Sequence, residues 1–205
     1  DNNGTGSGSA FVFLGSPSGI SGGTVSSAAD TILVGDDSGD TFGHQVAGAG
    51  DVNGDGYSDL VVGAYQDDNN GLSTGTTFVF LGSSSGIASG LAGAVADSVI
   101  DGDSTSSAGT AGYFGWSVSS AGDLNGDGYG DVVASALMAR ENGLGSGSAF
   151  VFLGSPAGIP SGLASEVAAS FANGDLADAY FGFTVSSAGD VNGDDLADVF
   201  LCNIQ

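Results

Sequence analysis

Short apolar runs of about five residues recur along the chain, each bounded by clusters of Gly, Ser, Asn and Asp. Phe42-x-His44-x-Val46 alternates, and Leu60-Val61-Val62-Gly63-Ala64 is apolar throughout. Thr77-Phe78-Val79-Phe80-Leu81 is aromatic and β-branched, and Ala96-Asp97-Ser98-Val99-Ile100 is a weaker run. Runs of this length and composition predict strands, because branched and aromatic side chains suit a pleated, half-buried surface. With 39 glycines and no long amphipathic stretch, helix is expected only as a single turn within residues 87–96 and 159–169. The pattern predicts an all-β fold.

The runs repeat. Phe11-Val12-Phe13-Leu14-Gly15-Ser16 returns at Phe78–Ser83 and Phe150–Ser155, at spacings of 67 and then 72 residues. Phe42-Gly43 returns as Phe114-Gly115 and Phe181-Gly182, at 72 and then 67. The difference places a Ser/Thr/Gly-rich insertion at Asp101–Gly112 in the second repeat, as a surface loop tolerates. Four strands per period of about 70 residues predict one β-propeller blade of four antiparallel strands. The chain divides into repeats near 1–67, 68–139 and 140–205 of a single segment, 1–205.

Between the first two strands of each repeat lies an acidic loop, Asp51–Asp59 (DVNGDGYSD), Asp123–Asp131 (DLNGDGYGD) and Asp190–Asp198 (DVNGDDLAD). Oxygen-bearing side chains occupy positions one, three, five and nine: Asp51, Asn53, Asp55 and Asp59; Asp123, Asn125, Asp127 and Asp131; Asp190, Asn192, Asp194 and Asp198. A hard cation such as Ca²⁺ takes six to eight oxygens, and carboxylates around a bent loop supply them. Asx-Gly turns form without metal, but three copies with one spacing favour up to three Ca²⁺ sites. An EF-hand would need a Glu at position twelve, where Val62, Ala134 and Leu201 stand, and an apolar strand follows instead of a helix. Mg²⁺ suits the loops less, since it keeps several waters and prefers one or two carboxylates.

Charge narrows the partners. Against 24 acidic residues stands one basic side chain, Arg140, for a net charge of -23. That excludes nucleic acid and anionic membrane surfaces, which need cationic patches. Ten of the acids lie in the three loops, so bound cations would relieve much self-repulsion. No apolar run approaches the roughly 20 residues that span a bilayer, so membrane insertion is not expected. No signal-peptide pattern follows Asp1, which is compatible with a leader removed in processing. Cys202 stands alone, at the position of Gly63 and Ser135, which predicts a packing site.

Enzymatic readings find little. Gly82-Ser83-Ser84-Ser85-Gly86 fits a nucleophile-elbow pattern, yet the matching segment is Gly154-Ser155-Pro156-Ala157-Gly158, so a Ser/Gly turn is expected. The single histidine, His44, falls where the other repeats have Trp116 and Phe183, and is expected to pack between blades. The chain is expected not to be an enzyme.

The combination FG…DxNGDGxxD…(V/L)VGA…FVFLG resembles the FG-GAP repeat, the blade unit of the integrin α-subunit β-propeller and its bacterial relatives. Two departures touch the naming dipeptide: Gly63-Ala64 becomes Ser135-Ala136 and then Cys202-Asn203, and the proline that follows in the family is missing. The resemblance implies that the Phe-Gly strand is a blade's inner strand and that the acidic loop is a calcium-binding hairpin to the second. Positions one, three, five and nine would ligate by side chain, and position seven (Tyr57, Tyr129, Leu196) by its backbone carbonyl. Asp195, where the other loops have Gly56 and Gly128, is expected to adopt a positive φ at some cost and to make the third site the weakest.

That register implies two whole blades, Phe42–Gly102 and Phe114–Gly174, and two complementary half-blades: strands near Ala10–Gly15 and Thr31–Gly35, and near Phe181–Val185 and Val199–Cys202. Since propellers close with four to eight blades, completion would come from further blades of a larger ring or from another copy of the chain. The expected function is extracellular or cell-surface adhesion or recognition of a protein or glycan ligand, with Ca²⁺ stabilising the hairpins. Two alternatives are an accessory module of a secreted hydrolase or lyase, and a structural protein that self-assembles by strand complementation.

Overall fold

The computed structural model describes residues 3–103 and 112–204. Most of the Asp101–Gly112 insertion lies outside the described residues. The chain opens with β1 (Ser9–Val12), a one-turn helix α1 (Val25–Ala28) and β2 (Thr31–Val34). The first whole blade follows as β3 (Gln45–Gly50), β4 (Asp59–Ala64), β5 (Thr76–Phe80), β6 (Gly90–Leu91), α2 (Ala92–Val95) and β7 (Ser98–Asp101). The second repeats it as β8 (Phe114–Gly122), β9 (Asp131–Ala136), β10 (Ser148–Phe152), β11 (Gly162–Leu163), α3 (Ala164–Val167) and β12 (Ser170–Asn173). The last pair is β13 (Thr184–Gly189) and β14 (Asp198–Cys202).

The four-stranded antiparallel blades are as the periodicity predicts. β3, β4, β5 and β7 pair in order, as do β8, β9, β10 and β12, while β1–β2 and β13–β14 form the two half-blades. The expected helical turns are α2 and α3; α1 is a third that the sequence reading did not mark. Each lies within the connection between a sheet's third and fourth strands.

Two features were not anticipated. The strands β6 and β11 leave their own blades and pair in parallel with the outer strand of the preceding sheet, β6 on β2 and β11 on β7. Each thus covers an edge that would otherwise present unpaired backbone groups. Furthermore, the Phe-Gly dipeptides are kinks more than strand. Gly43, Gly115 and Gly182 have φ between 80° and 82°, and the residue before each Phe (Thr41, Tyr113, Tyr180) also has positive φ. The kink delays the first strand to Gln45 and Thr184 in two repeats, and drives the ring inward: Phe42 and Phe114 are buried.

The core lies between sheets. Val61, Val79 and Ile100 of the first blade pack on Phe114, Val132 and Phe152 of the second. Ala10 and Leu33 of the first half-blade pack with Phe42, Phe78 and Phe80, and Val133 and Ala149 of the second blade with Val185. Edge-to-face pairs Phe42–Phe78 (5.5 Å) and Phe114–Phe150 (5.7 Å) recur at the same place in both blades. Each fully buried Phe contributes about 1.5–3 kcal/mol.

Gly63 sets the closest approach of neighbouring blades. A Cβ there would lie 2.0 Å from the Gly115 carbonyl oxygen. At the next junction Ser135 occupies this position, and its hydroxyl accepts from Ser117 N–H at 3.2 Å. Cys202, half-buried and free, holds the equivalent place in the last half-blade, where its carbonyl accepts from Gly182 N–H of the same half-blade at 2.9 Å. A Cβ on Gly182 of the last half-blade would lie 2.7 Å from Ser135 Cβ, so the Gly-to-Ser departure falls at an inter-blade contact.

Asp67, in the turn after β4, is buried close to the carboxylates of Asp40 and Asp101. Burial lifts its carboxyl from 3.8 to about 6. Between these values the folded chain holds a proton that the unfolded chain has released, so this group's contribution falls as pH rises and its cost is full above pH 6. In the second repeat Ala139 fills the same position. Asp67→Asn is expected to raise stability at pH 7.5, by up to about 3 kcal/mol, and to change it little at pH 4.5; equal effects at both pH values in thermal melts would contradict this. Gly63→Ala is expected to cost about 2–3 kcal/mol in urea unfolding through overpacking, and an unchanged midpoint would show that the blades can part freely.

Candidate metal loops

Each acidic loop joins the first two strands of a sheet: β3 to β4, β8 to β9, β13 to β14. The pairing slips by one residue just before each loop, between Gly48 and Gly50, Ser120 and Gly122, and Ser187 and Gly189. Such a bulge turns the strand end sharply. The loop then winds around its first aspartate. Asp51 accepts Gly54 N–H (2.7 Å) and Asp55 N–H (3.0 Å) on one oxygen and Gly56 N–H (2.8 Å) on the other. Asp123 and Asp190 repeat the pattern with residues 126–128 and 193–195.

Positions three and five close the turn. Asn53 Nδ2 donates to Asp55 (3.0 Å), which accepts Tyr57 N–H at 2.9 Å; Asn125–Asp127–Tyr129 and Asn192–Asp194–Leu196 do the same. Position nine ties the loop to the sheet. Asp59 accepts Val52 N–H and, from the end of β5, Gly82 N–H, both at 2.7 Å. Asp131 accepts Leu124 N–H (2.8 Å) and Gly154 N–H (2.9 Å). Asp198 accepts Val191 N–H at 2.8 Å.

Asp195 has φ 68°, as expected where Gly56 and Gly128 have 89° and 91°. Its N–H is the leading cause that holds the Asp190 carboxyl below the usual carboxylate value. The third loop is also the most open: Val52 is fully buried at position two of the first loop, and Val191 is 73% exposed in the third.

The loops contact one another, which the sequence reading missed. Gly130 N–H donates to the Asp51 carbonyl (2.8 Å), and Ala197 N–H to the Asp123 carbonyl (2.9 Å). The position-seven side chains lie over the glycine at position four of the preceding loop, Tyr129 on Gly54 and Leu196 on Gly126. The repeat of a large side chain at position seven was the available signal.

Among the described residues, no three His, Cys, Asp or Glu side chains converge as a ready-made metal cage. The loop residues nevertheless fit a hard cation. Their donors are all oxygen, and an ionised carboxylate has about four acceptor sites, more than the amide bonds here use. Burial raises the carboxyls of Asp59 and Asp131, and the like charges at positions five and one of the same loop raise them further. Arg140, the one basic side chain, cannot neutralise the ten acids of the three loops.

The opposite ends of these strands are aromatic. His44 packs against Tyr65 (4.6 Å) and Trp116 of the next blade (4.8 Å), as expected of an inter-blade position. Tyr113 and Phe183 extend the set, at 5.2 Å from Tyr65 and 6.1 Å from Trp116. Desolvation among these rings lowers the His44 pKa. Ser83 is held locally as expected: its hydroxyl donates to the Gly86 carbonyl at 2.7 Å, as those of Ser16 and Ser155 do to Gly19 and Gly158.

Asp59→Ala would strand two amides that now bond to a charge, at a cost of roughly 2–4 kcal/mol. Measured by urea unfolding in chelator, so that metal plays no part, with sucrose added to keep the metal-free chain folded, it is expected to exceed the cost of Asp198→Ala. Equal losses would contradict the structural role of position nine.

Comparison with known proteins agrees with this geometry. A family model for the FG-GAP repeat matches residues 42–80 and 114–152, each running from the Phe-Gly kink to the third strand. Integrin alpha pat-2 of Caenorhabditis briggsae is 39% identical over 88 residues, which are 43% of this chain and 7% of that protein. The chain thus spans a small part of the length of this relative. The chain therefore contains two FG-GAP repeats, each folded as a four-stranded blade around its acidic hairpin, and is similar to an integrin alpha over the aligned residues.

Proposed function

We propose that the chain is a calcium-stabilised propeller segment that serves extracellular adhesion or protein recognition and carries no catalytic site. The observation that supports this most is the threefold repetition of one oxygen-rich loop, with a buried, like-charged carboxylate at position nine of the first two copies. Ca²⁺ would supply the positive charge that these carboxylates lack. Asp51, Asn53, Asp55 and Asp59, with the Tyr57 carbonyl, would hold one ion. The second set is Asp123, Asn125, Asp127, Tyr129 and Asp131, and the third Asp190, Asn192, Asp194, Leu196 and Asp198.

The two ends then divide the work. The acidic hairpins lock blade to blade, and the aromatic end around His44, Tyr65 and Trp116 offers flat, rigid surface of the kind that recognition uses. The likeness to an integrin alpha chain supports a place outside the cell.

If each site binds only the folded state, saturation at 100 times its Kd adds about 2.7 kcal/mol. Three would add roughly 8, comparable with the whole stability of a typical domain, about 5–15 kcal/mol. Chelation is therefore expected to lower the melting temperature sharply or to unfold the chain, and calcium but not magnesium at equal concentration to restore it. A melting temperature indifferent to chelator would reject the proposal.

A further inference from the structure

We propose that neighbouring loops bind calcium with positive cooperativity, coupled by a relay of two peptide groups that runs from position seven of one loop to the position-nine carboxylate of the loop before it. This coupling rests on the calcium sites proposed above, and it lies in the Tyr129–Gly130 and Leu196–Ala197 peptides.

A trans peptide is planar, with its C=O and N–H pointing opposite ways, so holding one end holds the other. The peptide that joins Tyr129 to Gly130 offers the second loop its position-seven carbonyl on one side. On its other side, Gly130 N–H donates to the Asp51 carbonyl at 2.8 Å. That carbonyl belongs to the peptide whose own N–H, on Val52, donates to Asp59 at 2.7 Å. Two peptides therefore join a ligand position of the second loop to a ligand position of the first. The next junction repeats the path. Leu196 and Ala197 share a peptide, Ala197 N–H donates to the Asp123 carbonyl (2.9 Å), and Leu124 N–H donates to Asp131 (2.8 Å).

The surroundings keep the relay rigid. Val52, Asp59 and Asp131 are buried, so water does not compete for the bonds between the first and second loops. A second tie joins the same two loops just past β10. Gly154 N–H donates to Asp131 (2.9 Å), and the next amide, Ser155 N–H, donates to the Val52 carbonyl (2.9 Å). A Cβ on Gly154 would lie 2.4 Å from the Gly130 carbonyl oxygen and 2.6 Å from that of Val52, so these backbones are in direct contact. Tyr129 closes the other side: a Cβ on Gly54 would lie 2.6 Å from its ring.

These contacts set the sign of the coupling. A position-seven carbonyl engaged in the second loop holds Gly130 N–H on Asp51, and the Asp51–Val52 peptide in turn holds Asp59. Filling the second loop thus supplies in advance part of the order that the first loop needs, and such pre-ordering favours the next binding step. Bonds in a chain also polarise one another in one sense, and the N–H end of this chain points at Asp59, whose ionised form it favours. Repulsion between the ions does not reverse the sign. The first loop brings the carboxylates of Asp51, Asp55 and Asp59 and the second those of Asp123, Asp127 and Asp131, so each stays negative with one divalent ion bound.

The test uses the whole calcium-loaded chain, isotope-labelled for NMR, in sucrose to keep it folded while chelator lowers free calcium stepwise. Amide resonances of Gly54 and Gly56 report the first loop, and those of Gly126 and Gly128 the second. Asp127→Asn, which removes a charged ligand from the second loop, is expected to weaken calcium binding by the first at least about fivefold. Asp55→Asn is expected to weaken the second loop by the same factor, because coupling is reciprocal; either variant carries the test if the other fails to fold. In Asp55→Asn, calcium that fills the second loop alone is also expected to shift the Val52 amide resonance, which a general loss of stability would not do. Independent affinities, negative coupling or an unmoved Val52 resonance would each overturn the proposal while leaving the calcium sites in place. No calcium uptake by the unaltered chain would overturn the calcium sites, and the coupling with them.

Discussion

A buried aspartate at the ninth loop position is the constraint on which each blade depends. Asp59 holds Val52 N–H at the loop's start and Gly82 N–H at the end of the third strand, and so ties three strands at one point. It does so at a cost, since burial and two like-charged neighbours raise its pKa. Where the second tie is missing, at Asp198, the loop and the strands beyond it are the most exposed of the three. Order in the loops and order in the sheets therefore have a common origin.

The loops also form a continuous row. Backbone bonds from position eight of one loop to position one of the previous, and a Tyr or Leu laid over the previous loop's glycine, couple neighbouring sites directly. A change of order in one loop is felt by the next through these contacts, whereas the aromatic end is reached only along the length of the strands. This separation is what the proposed division, stability at one end of the molecule and recognition at the other, requires.

Much of the fold was legible because it is repeated. FVFLGS, the Phe-Gly pair and the acidic loops fixed period, strand count and the places of the half-blades, and the structure agrees with each. What escaped was set by tertiary context. A two-residue strand such as Gly90-Leu91 has no periodicity to detect, and only the neighbouring sheet makes it a strand. The positive φ at Thr41, Tyr113 and Tyr180 is imposed by driving the following Phe into the core, and nothing in those residue types announces it. At the loops, ligand spacing was visible but the second task of each side chain was not. Asp59 and Tyr129 read as metal-loop positions, yet in the structure one closes a sheet and the other packs a blade junction. By contrast, the positive φ of Asp195 followed from its place beside Gly56 and Gly128.

The central claim is that three equivalent loops each hold one calcium ion in the folded chain. Counting bound calcium per chain by equilibrium dialysis at saturating concentration tests it most directly. The account predicts three ions, the one in the loop of Asp195 released first as free calcium falls; a count of zero, or uptake without regard to folding, would contradict it.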